Sequence, residues 1–298
     1  MVKVSVIIPT KDREISIERA IKSVLGQTIQ DIEIIVVDDN SSDNTFESIN
    51  RFKKTSHIDI TYLKNEKNLG GAVSRNKGAL KSKGKYIAFL DSDDEWLPNH
   101  LEAGINVIEK SEVKGVYGSF YTKDQSGETH SKNIIKKPVN MSMANYIFSR
   151  LGDSRTSTFI FVANNFLEIL FDEKQEKHQD WDLAIRFDKK YNLGFNDEQS
   201  VIIHYDTNNR MSGSMNHKAT HFLIQKHYSL VEPENKINFY LFLLKNTLKL
   251  EGRTTDFYNY DELLKECINR YKITITLKQK IKRLIYKYLP ISIVKYIF

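Results

Sequence analysis

The chain has 298 residues, of which 40% are apolar and 11% aromatic, an ordinary composition for a folded protein with a sizeable core. Its one cysteine, Cys267, excludes an internal disulfide and indicates a reducing compartment. The net charge of +6 is uneven, because residues 267–298 contain eight Lys/Arg and no Asp/Glu, which leaves 36 basic and 38 acidic residues in 1–266. A slightly acidic body argues against nucleic-acid binding, which needs a basic face.

Short apolar runs alternate with amphipathic segments over the first 125 residues. The runs predict β-strands at Val4–Pro9, Ile32–Asp38, Ile58–Leu63, Tyr86–Leu90 and Val116–Tyr121. Helical spacing of apolar residues predicts helices at Ile15–Leu25, Thr45–Phe52, Ala72–Lys81 and Leu97–Glu109. This alternation predicts an α/β fold with a mainly parallel sheet flanked by helices. The strand at Ile32–Asp38 is apolar enough to be covered on both faces.

The alternation ends near Asp124. Beyond it, the sequence predicts a short helix at Met141–Arg150 and apolar strands at Phe159–Val162 and Val201–His204. From residue 218 onward the spacing is mainly helical, most clearly at Lys236–Leu250 and Tyr260–Tyr271. We therefore predict one domain over 1–215, made of a first part at 1–125 and a second at 126–215, followed by a helical region at 216–298.

Polar turns follow three of the predicted strands. Open α/β sheets bind ligands at the carboxyl ends of their strands, and here those ends contain Pro9–Asp12, Asp38–Ser41 and Asp91–Asp94. An Asp-x-Asp such as Asp91-Ser92-Asp93 offers hard oxygen ligands to Mn²⁺ or Mg²⁺, although the same pattern also occurs in surface turns. The sequence has no GxGxxG after the first strand and no GxxxxGK[ST], which disfavours dinucleotide oxidoreductases and P-loop NTPases.

Four sequence blocks in their chain order resemble the family 2, GT-A-type glycosyltransferases. They are Val4–Thr10, Val36–Asp43, Asn68–Gly78 and Gly84–Trp96. The resemblance is clear over about residues 1–125 and fainter to about 215. It implies a GT-A fold with a Rossmann-like sheet, in which 1–125 binds a nucleotide sugar and 126–215 contains the acceptor side and the catalytic base.

The resemblance also implies roles for individual residues of the first half. Asp39 matches the residue that hydrogen-bonds the nucleotide base, and a carboxylate accepting from an imide N–H suits uracil or thymine. Asp93 matches the direct ligand of Mn²⁺ or Mg²⁺. Asp38 fits a turn-capping role instead, and Arg75 could be a solvated helix charge. The implied nucleotide-sugar contacts of this half are Thr10, Asp12, Asp39, Arg75, Asp91 and Ser92.

The second half must supply a base, because the acceptor hydroxyl loses its proton as it attacks. The segment 178–183, with the sequence HQDWDL, is similar to the family's acidic motif, and Asp180 aligns with the catalytic base. Gln179 stands where the family usually has Glu, and Asp182 is a rival carboxylate farther along the helix. An acidic helix start stabilised by the macrodipole is the alternative. Arg210, with His204 as the second choice, matches a loop residue that reaches the donor diphosphate.

The predicted function is metal-dependent, inverting transfer of a sugar from a nucleotide diphosphate sugar, with a UDP-sugar favoured, to a hydroxyl of a glycan or lipid-linked acceptor. Bacterial surface-polysaccharide synthesis is the expected setting. A sugar-nucleotide nucleotidyltransferase is one alternative, but its Gly-rich basic loop is missing after the first strand. A non-catalytic nucleotide-sugar-binding protein is the other, although Asp93 and Asp180 are both present.

The C-terminal segment Leu277–Leu289 predicts an amphipathic helix with one apolar face and lysines and arginine on the remainder. With no signal peptide and no run of 18 apolar residues, we expect a cytoplasmic body that lies on the inner face of the cell membrane through 277–298. Packing on the protein itself, or a homo-oligomer contact, is the alternative for this helix.

Overall fold

The structure, a computed structural model, describes residues 2–132, 134–205 and 214–289. Its strands are β1 (Val4–Thr10), β2 (Ile32–Asp38), β3 (Asp59–Lys64), β4 (Tyr86–Phe89), β5 (Glu95–Trp96), β6 (Gly115–Gly118), β7 (Phe120–Lys123), β8 (Thr129–Lys132), β9 (Ile160–Val162), β10 (Leu193–Asn196) and β11 (Val201–His204). Its helices are α1 (Ser16–Leu25), α2 (Thr45–Thr55), α3 (Gly71–Ala79), α4 (His100–Ser111), α5 (Met143–Ser149), α6 (Ala163–Leu167), α7 (Gln179–Tyr191), α8 (His217–His227), α9 (Pro233–Leu250), α10 (Thr255–Tyr271) and α11 (Leu277–Tyr288).

The main sheet has seven described strands in the order β10-β6-β9-β4-β1-β2-β3. All its pairs are parallel except those of β9, which runs antiparallel to both β4 and β6. Strands β1 and β2 are buried along their whole lengths, as their continuous apolar sequences predicted. The predicted mainly parallel sheet flanked by helices is therefore confirmed.

The strand predicted at Val116–Tyr121 is divided in the structure, where the segment 115–123 contains two strands. Its first half, β6, belongs to the main sheet, whereas β7 belongs to a four-stranded sheet in the order β5-β11-β7-β8. The change occurs at Gly118, where an added Cβ would lie 2.7 Å from the Asn196 carbonyl oxygen. Hydrophobicity alone could not reveal the break, because apolar residues occur on both sides of Gly118.

The described chain divides into two compact units. The first comprises Met1–Lys136 and Ser154–Asn208, and the second comprises Lys137–Asp153 and Asn209–Phe298. The helix α5 thus belongs to the second unit, although the sequence grouped it with the first domain; the predicted division at 215/216 stays a prediction.

The second unit is helical, as predicted for the C-terminal region. Its core forms where α9 packs against α10 and α5, with the rings of Phe148 and Phe239 4.4 Å apart between centroids. The last described helix, α11, packs on α9 and buries Tyr286. None of the helices in the described part of the chain combines the length and apolar content needed to cross a bilayer.

Candidate active site

Three strand-end turns meet at the carboxyl edge of the main sheet. Because β4, β1 and β2 are parallel neighbours, the turns that follow them lie side by side. Thr10 pairs in register with Asp38, and the Asp39 N–H donates to the Thr10 carbonyl at 2.8 Å. The Leu90 N–H, just before the third turn, donates to the Ile7 carbonyl of β1. The sheet thus brings together the acidic turns that the sequence predicted to meet.

The first turn contains Thr10 and Asp12. The Oγ1 atom of Thr10 is buried and has no hydrogen-bond partner among the described residues. Asp12 has a left-handed backbone, with φ of 49°, and joins the first turn to the second. Its N–H donates to Ser41 Oγ at 2.9 Å, and its Oδ1 accepts from the Ser42 N–H at 2.8 Å. The Ser42 N–H bond lowers the pKa of Asp12 below its ordinary value.

The second turn contains two aspartates with different partners. Asp38 accepts from the Ser41 N–H and hydroxyl and from the Tyr62 hydroxyl, so its predicted role as a turn cap is confirmed. Burial, followed by the Asp38 bond, raises the pKa of the Tyr62 hydroxyl well above its usual value. Asp39 is buried and accepts from the N–H groups of Leu69 and Gly70 at 2.8 and 2.7 Å. Asp39 therefore anchors the turn before α3, and its contact with a nucleotide base stays a prediction.

The third turn contains Asp91, Ser92, Asp93 and Asp94, and one distant serine holds it in place. Ser157 Oγ accepts from the Asp91 N–H at 3.1 Å and donates to the buried Asp94 carboxylate at 2.6 Å. Sequence patterns could not predict this role, because Ser157 lies 66 residues beyond Asp91 in an irregular segment. Ser92 is buried in the same turn.

Cationic side chains surround the predicted metal ligand. Asp93 Oδ2 lies 3.9 Å from Arg13 Nη2, and Arg19 Nη2 donates to the Asp93 carbonyl at 2.7 Å. The Asp93 side chain is 14% exposed, so part of it is accessible to solvent. Asp91 is more accessible, and its Oδ1 accepts from Arg75 Nη2 at 2.6 Å. Arginines from the loop after β1, from α1 and from α3 therefore lie around Asp91 and Asp93.

The predicted catalytic base lies at the beginning of α7. Asp180 is half-buried in the first turn, and its Oδ1 accepts from the Trp181 N–H at 2.9 Å. The rival carboxylate of Asp182 is fully buried and is held by Arg186 Nε at 2.8 Å. Before the helix, His178 has a φ of 63° and stacks on Trp181, with ring centroids 4.5 Å apart. Of the two aspartates, Asp180 is the one that is not fully buried.

Arg75 connects the third turn to α7. Its Nη2 donates to Asp91, while its Nη1 donates to Gln179 Oε1 at 2.7 Å. The guanidinium lies over the ring of Phe171, 5.3 Å from the centroid, and its side chain is 11% exposed. The alternative of a solvated helix charge is therefore wrong.

Of the two residues predicted to reach a donor diphosphate, one can be placed. His204 is buried, its Nε2 lies 3.0 Å from Glu95 Oε2, and its N–H donates to Asp94. His204 therefore supports the third turn through Asp94 and the adjoining Glu95. Arg210, the first choice, lies outside the described residues.

Three potential metal ligands cluster elsewhere, at the hairpin between β7 and β8. They are Asp124, Glu128 and His130, and one ligand atom from each lies within 4.8 Å of the others. Asp124 accepts from the N–H groups of Ser126 and Glu128 and pairs with His130, which is an ordinary way to close a hairpin. The cluster therefore has a structural explanation.

The main sheet is mainly parallel, has an Asp-x-Asp turn at its carboxyl edge and lies in one unit with α7, whose first turn is acidic. This combination is that of a GT-A-type transferase fold. The family model described as "Glycosyl transferase family 2" matches residues 5–166, and the chain belongs to that family. This membership confirms the family predicted from the sequence and disfavours a nucleotidyltransferase.

Relatives and a solved structure agree with this membership. The chain is 34% identical over 198 residues to the amylovoran biosynthesis glycosyltransferase AmsB of Erwinia amylovora, covering 64% of each chain. It is 42% identical over 119 residues to the UDP-Glc:alpha-D-GlcNAc-diphosphoundecaprenol beta-1,3-glucosyltransferase WfgD of Escherichia coli, covering 39% of this chain and 45% of that protein. The match thus spans less than two thirds of either relative. The mannosyltransferase PcManGT of Pyrobaculum calidifontis, solved with GDP-Man and Mn²⁺, has the same fold, with a TM-score of 0.58, 14% identity, and coverage of 98% of this chain and 82% of that one.

Proposed function

We propose that this protein is an active inverting glycosyltransferase that moves a sugar from a nucleotide diphosphate sugar to an acceptor hydroxyl. The observation that carries the proposal is the Arg75 bridge, which connects the Asp91 turn to the helix start that contains Asp180. A donor-binding edge and an accessible carboxylate are thus parts of one hydrogen-bonded site. The family membership supports this chemistry over a non-catalytic binding role.

The chain's own residues supply the acid–base and binding steps of this mechanism. Asp180 removes the proton of the acceptor hydroxyl, which attacks the anomeric carbon from the face opposite the nucleotide. Its half-buried carboxylate at the amino end of α7 is exposed enough to receive a hydroxyl. Arg75 places a guanidinium beside Asp91, where it can stabilise charge that develops on a diphosphate leaving group.

A divalent cation, Mn²⁺ or Mg²⁺, fits the donor set of the third turn. Magnesium-like cations commonly use one or two protein carboxylates together with substrate phosphates, so a complete protein ligand cage is not required. Asp93 and Asp91 supply two hard carboxylates at one strand end. When bound there, the ion would neutralise negative charge on the departing diphosphate. Mn²⁺ in the PcManGT structure supports the same use of this fold.

The donor and acceptor are proposed from residue chemistry and from the relatives. The Asp39 carboxylate favours a base with an imide N–H, which makes a UDP-sugar the preferred donor. The name of WfgD describes glucose transfer from UDP-Glc to a diphosphoundecaprenol-linked sugar, and that of AmsB describes amylovoran biosynthesis. By analogy, we place this protein in bacterial surface-polysaccharide synthesis, acting on a lipid-linked or glycan acceptor.

A lipid-linked acceptor agrees with the exposed surface of α11. Asp261, which is buried, holds this helix on the second unit by pairing with Arg283 at 2.6 Å and Lys287 at 3.3 Å. The side chains of Ile281, Leu284 and Tyr288 are exposed. Their spacing of three and four residues places them on one face of the helix. Membrane contact and packing on the protein are thus compatible for this helix. One edge packs on the protein, and the exposed apolar stripe stays available to the cytoplasmic face of a membrane. Residues 290–298 lie outside the described part.

A donor screen tests the proposed function. The protein is incubated with UDP-, GDP- and dTDP-sugars in Mn²⁺, in Mg²⁺ or with EDTA, and free nucleotide is measured. We expect release from a UDP-sugar in the presence of a metal and none with EDTA. Equal release with EDTA would refute the metal dependence, and no release from any donor, with or without extracts of lipid-linked glycans, would refute the function.

A further inference from the structure

The short helix α3 holds both ends of the segment 171–179, which leads into α7. At one end, Asn76 is buried and binds the backbone of Phe171 twice: its Nδ2 donates to the carbonyl, and its Oδ1 accepts from the N–H, both at 2.9 Å. At the other end, Arg75 donates to Gln179. Two consecutive residues of α3 therefore fix a stretch of irregular backbone that ends next to Asp180.

Glycine at position 71 makes the second contact feasible. A Cβ at Gly71 would lie 2.9 Å from Arg75 Nη1 and 3.5 Å from Gln179 Oε1. The guanidinium thus lies against the first residue of α3, in space that any other side chain would enter. Since φ of Gly71 is not in the left-handed region, alanine there is compatible with the backbone and would disturb chiefly this contact.

Gln179 supplies a neutral hydrogen-bond partner of Arg75. Among the described residues, Arg75 has one carboxylate partner, Asp91, and one neutral partner, the amide of Gln179. The Phe171 ring lies 5.3 Å from the guanidinium carbon, and the Gln179 amide oxygen is the acceptor that joins Arg75 to the first turn of α7.

We propose that Gln179 is a positioning residue: through Arg75 it fixes the first turn of α7, and hence the Asp180 carboxylate, relative to the Asp91 turn. This inference rests on the proposed function, and it assigns Gln179 no contact with substrate. Displacement of a reacting group by about 1 Å can cost roughly 100-fold in rate. Loss of the bridge should therefore lower kcat far more than it changes the donor KM.

The experiment compares Gln179→Ala, Gly71→Ala and the double variant with wild type and with the exposed control Gln225→Ala, using the donor that supports turnover. We expect each single variant to lose roughly 10- to 100-fold in kcat, with the donor KM of Gln179→Ala within about twofold of wild type. We expect the double variant to lose no more than the worse single variant. Gln179→Glu, which keeps an acceptor oxygen, should recover most of the lost kcat. Gln225→Ala should match wild type.

Two results would overturn the proposal: an unchanged kcat in Gln179→Ala, or losses in the double variant that multiply those of the two single variants. If wild type turns over no donor, the proposed function fails separately. The bridge is then judged from thermal unfolding, where the midpoint shifts of Gly71→Ala and Gln179→Ala must be non-additive, and additive shifts would refute it.

Discussion

Asp38 and Asp39, the two aspartates at the end of β2, show how one dipeptide supports both the fold and the ligand pocket. Asp38 is occupied by its own turn and by Tyr62. Asp39 accepts from Asn65, Leu69 and Gly70, and the Asn68 amide can donate to its Oδ2 at 2.6 Å while accepting from Lys11. These donors fill the acceptor capacity of a carboxylate. A nucleotide base that donates to Asp39 would therefore replace one of them.

Unlike the Asp39 carboxylate, the buried hydroxyl of Thr10 has no hydrogen-bond partner among the described residues. We predict that Thr10→Val leaves the free energy of unfolding unchanged or raises it, since no intramolecular hydrogen bond is lost. If the hydroxyl binds the nucleotide, UDP affinity should fall by a factor of about 2 to 10, the value of one neutral hydrogen bond. Titration calorimetry and denaturant unfolding measure the two effects.

A buried threonine with a satisfied hydroxyl serves as the control for Thr10→Val. Thr220 Oγ1 donates to the Asn216 carbonyl at 2.9 Å, so Thr220→Val should lower stability and leave UDP affinity unchanged. An unaltered UDP affinity in Thr10→Val would remove Thr10 from the proposed nucleotide site.

At the scale of elements, α7 is anchored by a buried ion pair. Arg186 bonds Asp182 and also donates to the carbonyls of Ile169 and Leu170 at 2.9 and 2.8 Å, which ties the helix to the turn that precedes segment 171–179. We predict that Asp182→Asn destabilises the protein by about 3–5 kcal/mol, because removal of one partner leaves a partly buried charge uncompensated. Urea unfolding followed by circular dichroism measures the change.

The far end of the same helix provides a matched control. Glu168 pairs with Lys190, but both side chains are more than half exposed, so Glu168→Gln should not change the unfolding midpoint measurably. Equal effects of the two substitutions would contradict the assignment of Asp182 as the structural carboxylate of α7.

The sequence was sufficient to predict the elements whose signals are local. The continuous apolar β1 and β2 and their amphipathic helices follow from periodicity, and the four family blocks identified the strand-end turns. Two features could not be predicted, because they depend on contacts across the chain. The antiparallel pairing of β9 with β4 and the support of the Asp91 turn by Ser157 both join segments more than 60 residues apart. Similarly, only the structure shows that Gln179 binds Arg75, 104 residues away.

At the scale of the whole molecule, the basic excess of residues 267–298 coincides with the exposed stripe of α11. We predict that Ile281→Ser with Leu284→Ser reduces binding to phosphatidylglycerol-containing vesicles, since apolar burial and about 1 kcal/mol per nearby basic residue act together. Vesicle sedimentation measures the binding. Because both side chains are exposed, the fold should be unaffected.

A leucine that is equally exposed but remote in sequence controls for general loss of surface hydrophobicity. Leu80 is 64% exposed, and Leu80→Ser should leave vesicle binding unchanged. Full vesicle binding by the α11 variant would favour the packed-helix or homo-oligomer alternative instead.

The most direct test of the proposed mechanism compares sugar transfer by wild type and by Asp180→Asn, with UDP binding measured on the same preparations. Asp180→Asn keeps the size of the side chain and an oxygen that can accept from the Trp181 N–H, but it removes the proposed base. We predict that the variant loses transfer while its metal-dependent UDP affinity stays within about twofold of wild type, because Asp180 makes no contact with the nucleotide in this mechanism. Wild-type turnover by Asp180→Asn would contradict the assignment of the base and, with it, the proposed mechanism.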